Sequence, residues 1–148
     1  MADIIVEARH KAMDLLARRE HTRKELAAKL ASRGFPEDVI ESVIDRLTEE
    51  KLQSDARFAE AFVHLRQKKG QGPLRILKEM QERGVSTELQ EEYLDPRDKV
   101  WQKLITQVRV KKFGSKVPRN YQERAKQARF LQYRGFTVDQ IRQELKEF

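Results

Sequence analysis

The chain has 148 residues, room for one ordinary domain or a short array of repeats, and it is unusually polar: 37% of its side chains are charged. It has no cysteine, which removes disulfides, thiolate-bound zinc and thiol nucleophiles, and no apolar run near the ~20 residues needed to cross a bilayer. Its net charge of +7 is lopsided: residues 1–53 carry 10 basic and 11 acidic side chains, residues 54–96 carry 7 and 8, and residues 97–148 carry 14 and 5.

Taken in order, the chain reads as helix after helix. With only 6 glycines and 4 prolines, it is rich in Ala, Glu, Lys, Leu, Arg and Gln, the residues that lose least on entering a helix. The start, Met1 to Glu7, lacks the basic segment and apolar core of a secretory signal. Ile5, Ala8, Ala12 and Leu15 fall on one helical face. Thr22-Arg-Lys-Glu25 is a capping box that opens a second helix through Leu26 and Leu30, stopping at Gly34. Val39, Ile40, Val43, Ile44 and Leu47 make a third.

Asp55 reads as the N-cap of the next helix, with Phe58, Phe62 and Leu65 on its apolar stripe and Arg57 placed to pair with a carboxylate of a neighbouring unit. Gly70-Gln71-Gly72-Pro73 is a turn into a helix whose first position tolerates proline; that helix carries Ile76, Leu77 and Met80 and ends at Gly84. Ser86 or Thr87 caps the one after it, with Leu89, Tyr93 and Leu94. Val100, Trp101, Leu104, Ile105 and Val108 begin a third set, interrupted by an irregular insert from Phe113 to Asn120. Ala128 and Leu131 follow, and a capping box at Thr137 and Gln140 opens a last helix with Val138, Ile141, Leu145 and Phe148. No alternating β-branched run suggests a strand.

Overlaying the chain on itself exposes a repeat. Leu30-Ala-Ser-Arg33-Gly34-Phe35 returns as Met80-Gln-Glu-Arg83-Gly84-Val85 and as Leu131-Gln-Tyr-Arg134-Gly135-Phe136. Glycine just beyond a helix supplies the left-handed residue that closes it, and the apolar residue after it packs on the one five earlier. The arginine sits where a cation meets the negative end of the helix dipole. These arginines and glycines therefore read as structural. The chain should be all-α, three tandem three-helix repeats over 1–53, 54–96 and 97–148, stacked into an elongated, curved body. A unit of ~50 residues has too little core to stand comfortably alone.

The basic last third carries the functional expectation. From Arg109 to Arg134 it holds Arg109, Lys111, Lys112, Lys116, Arg119, Arg124, Lys126, Arg129 and Arg134 against one acid, Glu123. Such a segment suits a polyanion or an acidic protein face. Phe130 and Tyr133 stand where the sister units have Lys29 and Ser32, then Glu79 and Glu82. They either pack under the 113–121 insert or meet a partner. Lys68, Lys69 and Arg75 flank the Gly-Gln-Gly-Pro turn, which lacks the Gly-Lys-Ser/Thr of a nucleotide loop but can add to a binding face. His10, His21 and His64 have no metal-ligand spacing and read as ordinary exposed histidines. No nucleophile–base set is visible, so binding rather than catalysis is expected, with no cofactor.

The middle of the chain carries a more specific pattern. Leu52-Gln-Ser-Asp55-Ala-Arg57-Phe58-Ala59-x-x-Phe62, Arg66, Gly70-Gln71-Gly72-Pro73-x-Arg75-Ile76-x-x-Glu79 and Arg83-Gly84-Val85 resemble the RecX family of bacterial regulators of the RecA recombinase. Lys126-x-x-Arg129-Phe130-Leu131-x-Tyr133-Arg134-Gly135-Phe136 resembles that family's C-terminal pattern. The likeness runs from about Ala8 to the C-terminus. It implies three tandem three-helix repeats, lodging in the groove of the RecA–single-stranded DNA filament, and inhibition of RecA's strand exchange, ATP hydrolysis and co-protease activity. It further implies a cytoplasmic protein, and a monomer is expected. The chain departs from the pattern at Gln71, where the family carries an aromatic. The competing expectation is a helical DNA- or RNA-binding protein that works through its basic third unit, since a three-helix unit with such a helix resembles helix-turn-helix modules.

Overall fold

The computed structural model describes residues 2–146, which hold nine α-helices and no strand. They run as α1 (Ala2–Arg18), α2 (Arg23–Ser32), α3 (Glu37–Glu49), α4 (Asp55–Lys68), α5 (Pro73–Glu82), α6 (Thr87–Tyr93), α7 (Val100–Phe113), α8 (Tyr121–Arg134) and α9 (Val138–Leu145). The most extensive helix packing is within the sets α1–α3, α4–α6 and α7–α9. Each set is a three-helix unit around its own apolar cluster.

Local chemistry sets the helix ends. Thr22 and Thr137 close full capping boxes with Glu25 and Gln140. Gly72 precedes Pro73 at the start of α5, and the Ser86 hydroxyl accepts the Leu89 N–H to cap α6. The cap of α4 is Ser54 rather than Asp55: the Ser54 hydroxyl accepts the Arg57 N–H. Asp55 is drawn into a contact between units instead, where its Oδ1 accepts the Arg23 N–H at 2.9 Å and the Gln53 amide at 2.9 Å. Arg57 pairs with Glu20 of the first unit at 2.9 Å, as its position suggests.

The Arg-Gly repeat closes α2, α5 and α8 in one way. The N–H groups of Phe35, Val85 and Phe136 donate to the carbonyls of Leu30, Met80 and Leu131, and those of Gly34, Gly84 and Gly135 to Ala31, Gln81 and Gln132. The glycines take φ of +87°, +88° and +101°, the left-handed turn of a Schellman ending.

Two of these three endings also receive the start of another helix. The Thr22 hydroxyl, at the head of α2, donates to Arg83 O at 2.6 Å, and Lys24 Nζ donates to Glu82 O. At the head of α5, the N–H groups of Gly72 and Leu74 donate to Arg134 O at 2.7 Å and Gly135 O at 2.9 Å. So α2 begins where α5 ends, and α5 begins where α8 ends. At the second junction backbone N–H groups meet backbone carbonyls and orphan groups on both sides are satisfied, whereas at the first the α5 carbonyls accept from a hydroxyl and an ammonium. The contact is tight. A Cβ on Gly135 would lie 2.4 Å from Arg75 Cβ, and one on Gly84 2.7 Å from Lys24 Cβ, whereas one on Gly34 meets nothing within 4 Å.

The first cluster holds Ala8, Ala12, Leu15, Leu26, Leu30, Val39, Ile40, Val43, Ile44 and Leu47. The second reaches from Phe58 and Phe62 to Leu94 and takes in Trp101, whose Nε1 donates to Asp95 O at 2.8 Å. Trp101 lies on the first turn of α7, so the third unit sends one large side chain into the second unit's core. Leu104 touches both the second cluster and the third, which holds Ile105, Leu131, Phe136, Ile141 and Leu145. Several residues on the apolar stripes stay outside: Ile5 is 37% exposed, Val100 40%, Leu65 52% and Val138 55%. Phe148 lies outside the described residues.

His21 corrects the expectation of exposed histidines. It is 1% exposed, its Nδ1 bonded to Arg19 O and its backbone carbonyl to the Gln53 amide. Burial pushes its pKa below the ordinary value. Beside it, burial alone would raise the Glu25 pKa, but hydrogen bonds from Arg19, the Thr22 N–H and Arg83 outweigh it and hold the carboxyl below its usual range.

Two predictions follow from these junctions. Gly→Ala at positions 34, 84 and 135 carries a common left-handed cost of about 1–2 kcal/mol. Melting curves should show Gly84→Ala and Gly135→Ala losing more than Gly34→Ala, and equal losses would remove the crowding at the junctions. The second concerns acid. As pH falls, the unfolded chain protonates His21 at its ordinary value and Glu25 at its own, before the folded chain does in each case. Stability is therefore full above about pH 6.5 and declines in two steps through the two lowered folded-state values. Thermal melts against pH should lose the upper step in His21→Gln and the lower in Glu25→Gln.

Candidate functional site

The expected binding residues do not form one surface; the structure sorts them into three places. The first is a cleft of 410 Å³ between the second and third units, lined by Lys68, Lys69, Gly70, Leu104, Gln107, Val108, Lys111, Lys112, Phe130 and Arg134. One wall is the end of α4. The other is the α7 face on which Leu104, Val108, Lys111 and Lys112 recur at helical spacing. The end of α8 forms the floor.

Arg134 holds the cleft together. Its Nη1 donates to Lys69 O at 3.1 Å, and its guanidinium lies 5.1 Å from the centre of the Phe130 ring. Phe130 is half-buried, edge-on to Phe113 at 5.4 Å, with Lys112 Nζ 5.4 Å from its centre. Phe130 thus packs against the first residue of the insert, and it presents its ring to two cations that the negative π face attracts. Gly70 matters for space: a Cβ there would sit 3.1 Å from both Arg134 Nη1 and Val108 Cγ2.

The cleft has no carboxylate in its lining. Among the described residues, Lys68, Lys69, Lys111 and Lys112 form no ion pair, and Arg134 bonds only backbone carbonyls. The contrast with the neighbouring junction is sharp. There a groove over Phe58, Phe62 and Leu65 is also ringed by cations, but Arg19 and Arg83 share Glu25, and Arg66 pairs with Glu79. Among the described residues, the cleft between the second and third units gathers four lysines without an ion-pair partner, and no acid, around one space. Walls of low dielectric focus that field on the space between them.

A second basic group surrounds the insert. Lys116, Arg119 and Lys126 line a separate groove with Phe113, Val117, Glu123 and Gln127. Arg119 is engaged with Glu123, which accepts its backbone N–H at 2.7 Å and its guanidinium at 3.1 Å; that backbone bond, then the side-chain bond, lowers the Glu123 pKa. The third place is the junction of α5 and α8, where Arg75 is paired with Glu79 at 3.3 Å and its guanidinium lies 5.4 Å from the centre of the Tyr133 ring. Tyr133 is 74% exposed. Arg129 is exposed and Arg124 half-buried on α8.

Arg109 is not available to a partner, contrary to the sequence expectation. It is 7% exposed, and its Nε meets Glu144 Oε2 at 2.6 Å. Position along the basic run gave no warning; its spacing four residues after Ile105, on the buried face of α7, is the signal that could have. Gln71, where the family pattern has an aromatic, is also internal at 8% exposed, and its amide bridges Arg66 Nη1 and Glu79 Oε1 at 3.2 Å each. Its role is local packing. Among the described residues there is no group of His, Asp or Glu side chains fit to hold a metal, and no helix long and apolar enough to cross a membrane.

Three like units, joined end to end and enclosing an acid-free basic cleft, define an all-helical tandem-repeat protein. The chain belongs to the RecX family: models of its first, second and third three-helix domains match residues 8–47, 54–94 and 98–145. Relatives named regulatory protein RecX are 46% identical in Pseudomonas fluorescens strain Pf-5, across 94% of this chain and 90% of that one, and 47% identical in Halorhodospira halophila, across 90% and 83%. The crystal structure of RecX from Lactobacillus salivarius superposes with a TM-score of 0.81 at 25% identity, covering 99% of each chain.

The two kinds of arginine and lysine separate by experiment. Arg109→Ala strands Glu144 as a buried unpaired carboxylate and should cost about 3–5 kcal/mol. Lys111→Glu with Lys112→Glu removes exposed charges and should leave the melting temperature within about 2 °C. Circular-dichroism melts of both proteins check this; a double lysine variant that loses its fold would make the cleft structural.

Proposed function

We propose that this protein regulates RecA by applying its basic cleft to the RecA–single-stranded DNA filament, and that this slows the filament's ATP hydrolysis, strand exchange and co-protease activity. The observation that carries the reading is the cleft between the second and third units, where Lys68, Lys69, Lys111, Lys112 and Arg134 stand without a carboxylate. Membership of a family whose relatives are named regulatory proteins supports it. A filament of protein on nucleic acid offers both acidic side chains and phosphates, and the cleft is suited to either. Lys116, Lys126, Arg129 and Tyr133 add contacts along the same unit, and Arg124 and Arg119 contribute field. Binding needs no cofactor of the protein's own, takes place in the cytoplasm and uses a single chain.

The second reading, a plain DNA- or RNA-binding protein, rests on the same charge together with the exposed ring of Tyr133, a flat surface on which a base can stack. Titration against RecA's DNA-dependent ATPase separates the two. A filament regulator acts at or below one protein per RecA. A DNA competitor acts only near the amount that coats the DNA, and loses its effect steeply as salt rises. Changing Lys68, Lys69, Lys111 and Lys112 together to Glu should raise the half-inhibitory concentration at least tenfold with the fold intact. RecA activity untouched at saturating protein would defeat the proposal.

A further inference from the structure

The link between first and second helices is short in two units, residues 19–22 and 69–72, and both links are pinned by the neighbouring unit. At the first link Thr22 Oγ1 donates to Arg83 O and Arg57 Nε to Glu20 Oε2; at the second Arg134 Nη1 donates to Lys69 O and Gly70 O. In the third unit the link is longer, residues 114–120, and among the described residues its carbonyls are held from within the unit. It is also the link that carries Lys116 and Arg119.

A single buried guanidinium takes over that task. Arg109 Nη1 donates to Gly114 O at 3.4 Å and to Lys116 O at 3.3 Å, while its Nε faces Glu144 Oε2. Both partners of the ion pair have side chains only 8% exposed. Thr106 on α7 bonds the other oxygen of Glu144, fixing the carboxylate's orientation. The planar fork of an arginine can face a carboxylate on one edge and two carbonyls on the other, which an ammonium cannot do. The sister residue in the second unit, Arg66, also pairs with a carboxylate, Glu79, but that carboxylate lies on the second helix and the amide beside it belongs to Gln71. In the third unit the carboxylate has moved to the last helix, so α9 and the basic loop are tied through one side chain.

We infer that Arg109 and Glu144 are positioning residues: the buried pair sets the conformation of the 114–118 loop, and α9 thereby governs how Lys116 is presented to the partner. The functional half rests on the proposed binding of an anionic partner. The structural half does not.

The test uses the full chain with Arg109→Lys, which keeps the buried positive charge but loses the fork, beside Glu144→Gln and wild type. Backbone nitrogen-15 order parameters are read for residues 114–117, amide hydrogen exchange over α7 and α8, and half-inhibition of RecA's DNA-dependent ATPase in parallel. In Arg109→Lys, the loop order parameters should fall from about 0.85 to below about 0.6 while the α7 and α8 cores stay protected. The half-inhibitory concentration should rise by a factor comparable to that of Lys116→Ala, and adding Lys116→Ala to Arg109→Lys should add little. Glu144→Gln should lower the loop order parameters in the same direction, with the melting temperature reported beside it. Unchanged loop order parameters in Arg109→Lys overturn the positioning role. A loosened loop with unaltered inhibition overturns its functional half. Failure of wild type to inhibit RecA at all would instead strike the proposed function, and would be visible before any variant is made.

Discussion

One contact recurs and organises the molecule: the carbonyl end of one unit's second helix receives the N–H end of the preceding unit's second helix. Arg83 O accepts from Thr22, and Arg134 O from Gly72. Helix ends are otherwise a liability, because each leaves backbone groups unsatisfied. Here the receiving carbonyls are satisfied, by backbone N–H groups at one junction and by side-chain donors at the other, and the close approach leaves the receiving glycine no space for a side chain. The rest follows from that geometry. Ion pairs such as Glu25 with Arg83, and Glu20 with Arg57, collect along the seam because the junction brings the units' polar edges together.

The two junctions differ in what surrounds them, and the difference creates the site. At the first, Arg19 and Arg83 share Glu25 and Arg66 pairs with Glu79, so each of these arginines has a carboxylate beside it. At the second, the equivalent ring is lysine-rich and acid-free. Trp101 and Leu104 reach across from α7 into the second unit's core, so the cleft's two walls are anchored by apolar packing rather than by the polar seam alone.

Much of this could be read from the sequence. The Arg-Gly repeat, the capping boxes at Thr22 and Thr137, and the apolar periodicities specify the helices because they are local chemistry, confined to a few adjacent residues. What escaped was placement in space. Lys68 and Lys69 are some forty residues from Lys111 and Lys112 in the chain, and only the stacking of units puts them on opposite walls of one cleft. Arg109 looked like its basic neighbours, since a run of like charges says nothing about which face each residue takes. Asp55 looked like a cap because its type and position fit one, but a donor from another unit, the Arg23 N–H, claimed its carboxylate and left Ser54 to cap.

The seam between the second and third units has a thermodynamic corollary. In a linear array each unit is stabilised chiefly by its immediate neighbours, so an end unit can detach while the others remain folded. The cleft owes one wall to each of two units and vanishes when they part. Any ligand seated there must therefore favour the docked arrangement by mass action, acting as a staple on the terminal unit. Conversely, whatever loosens that unit weakens affinity without touching a single contact residue.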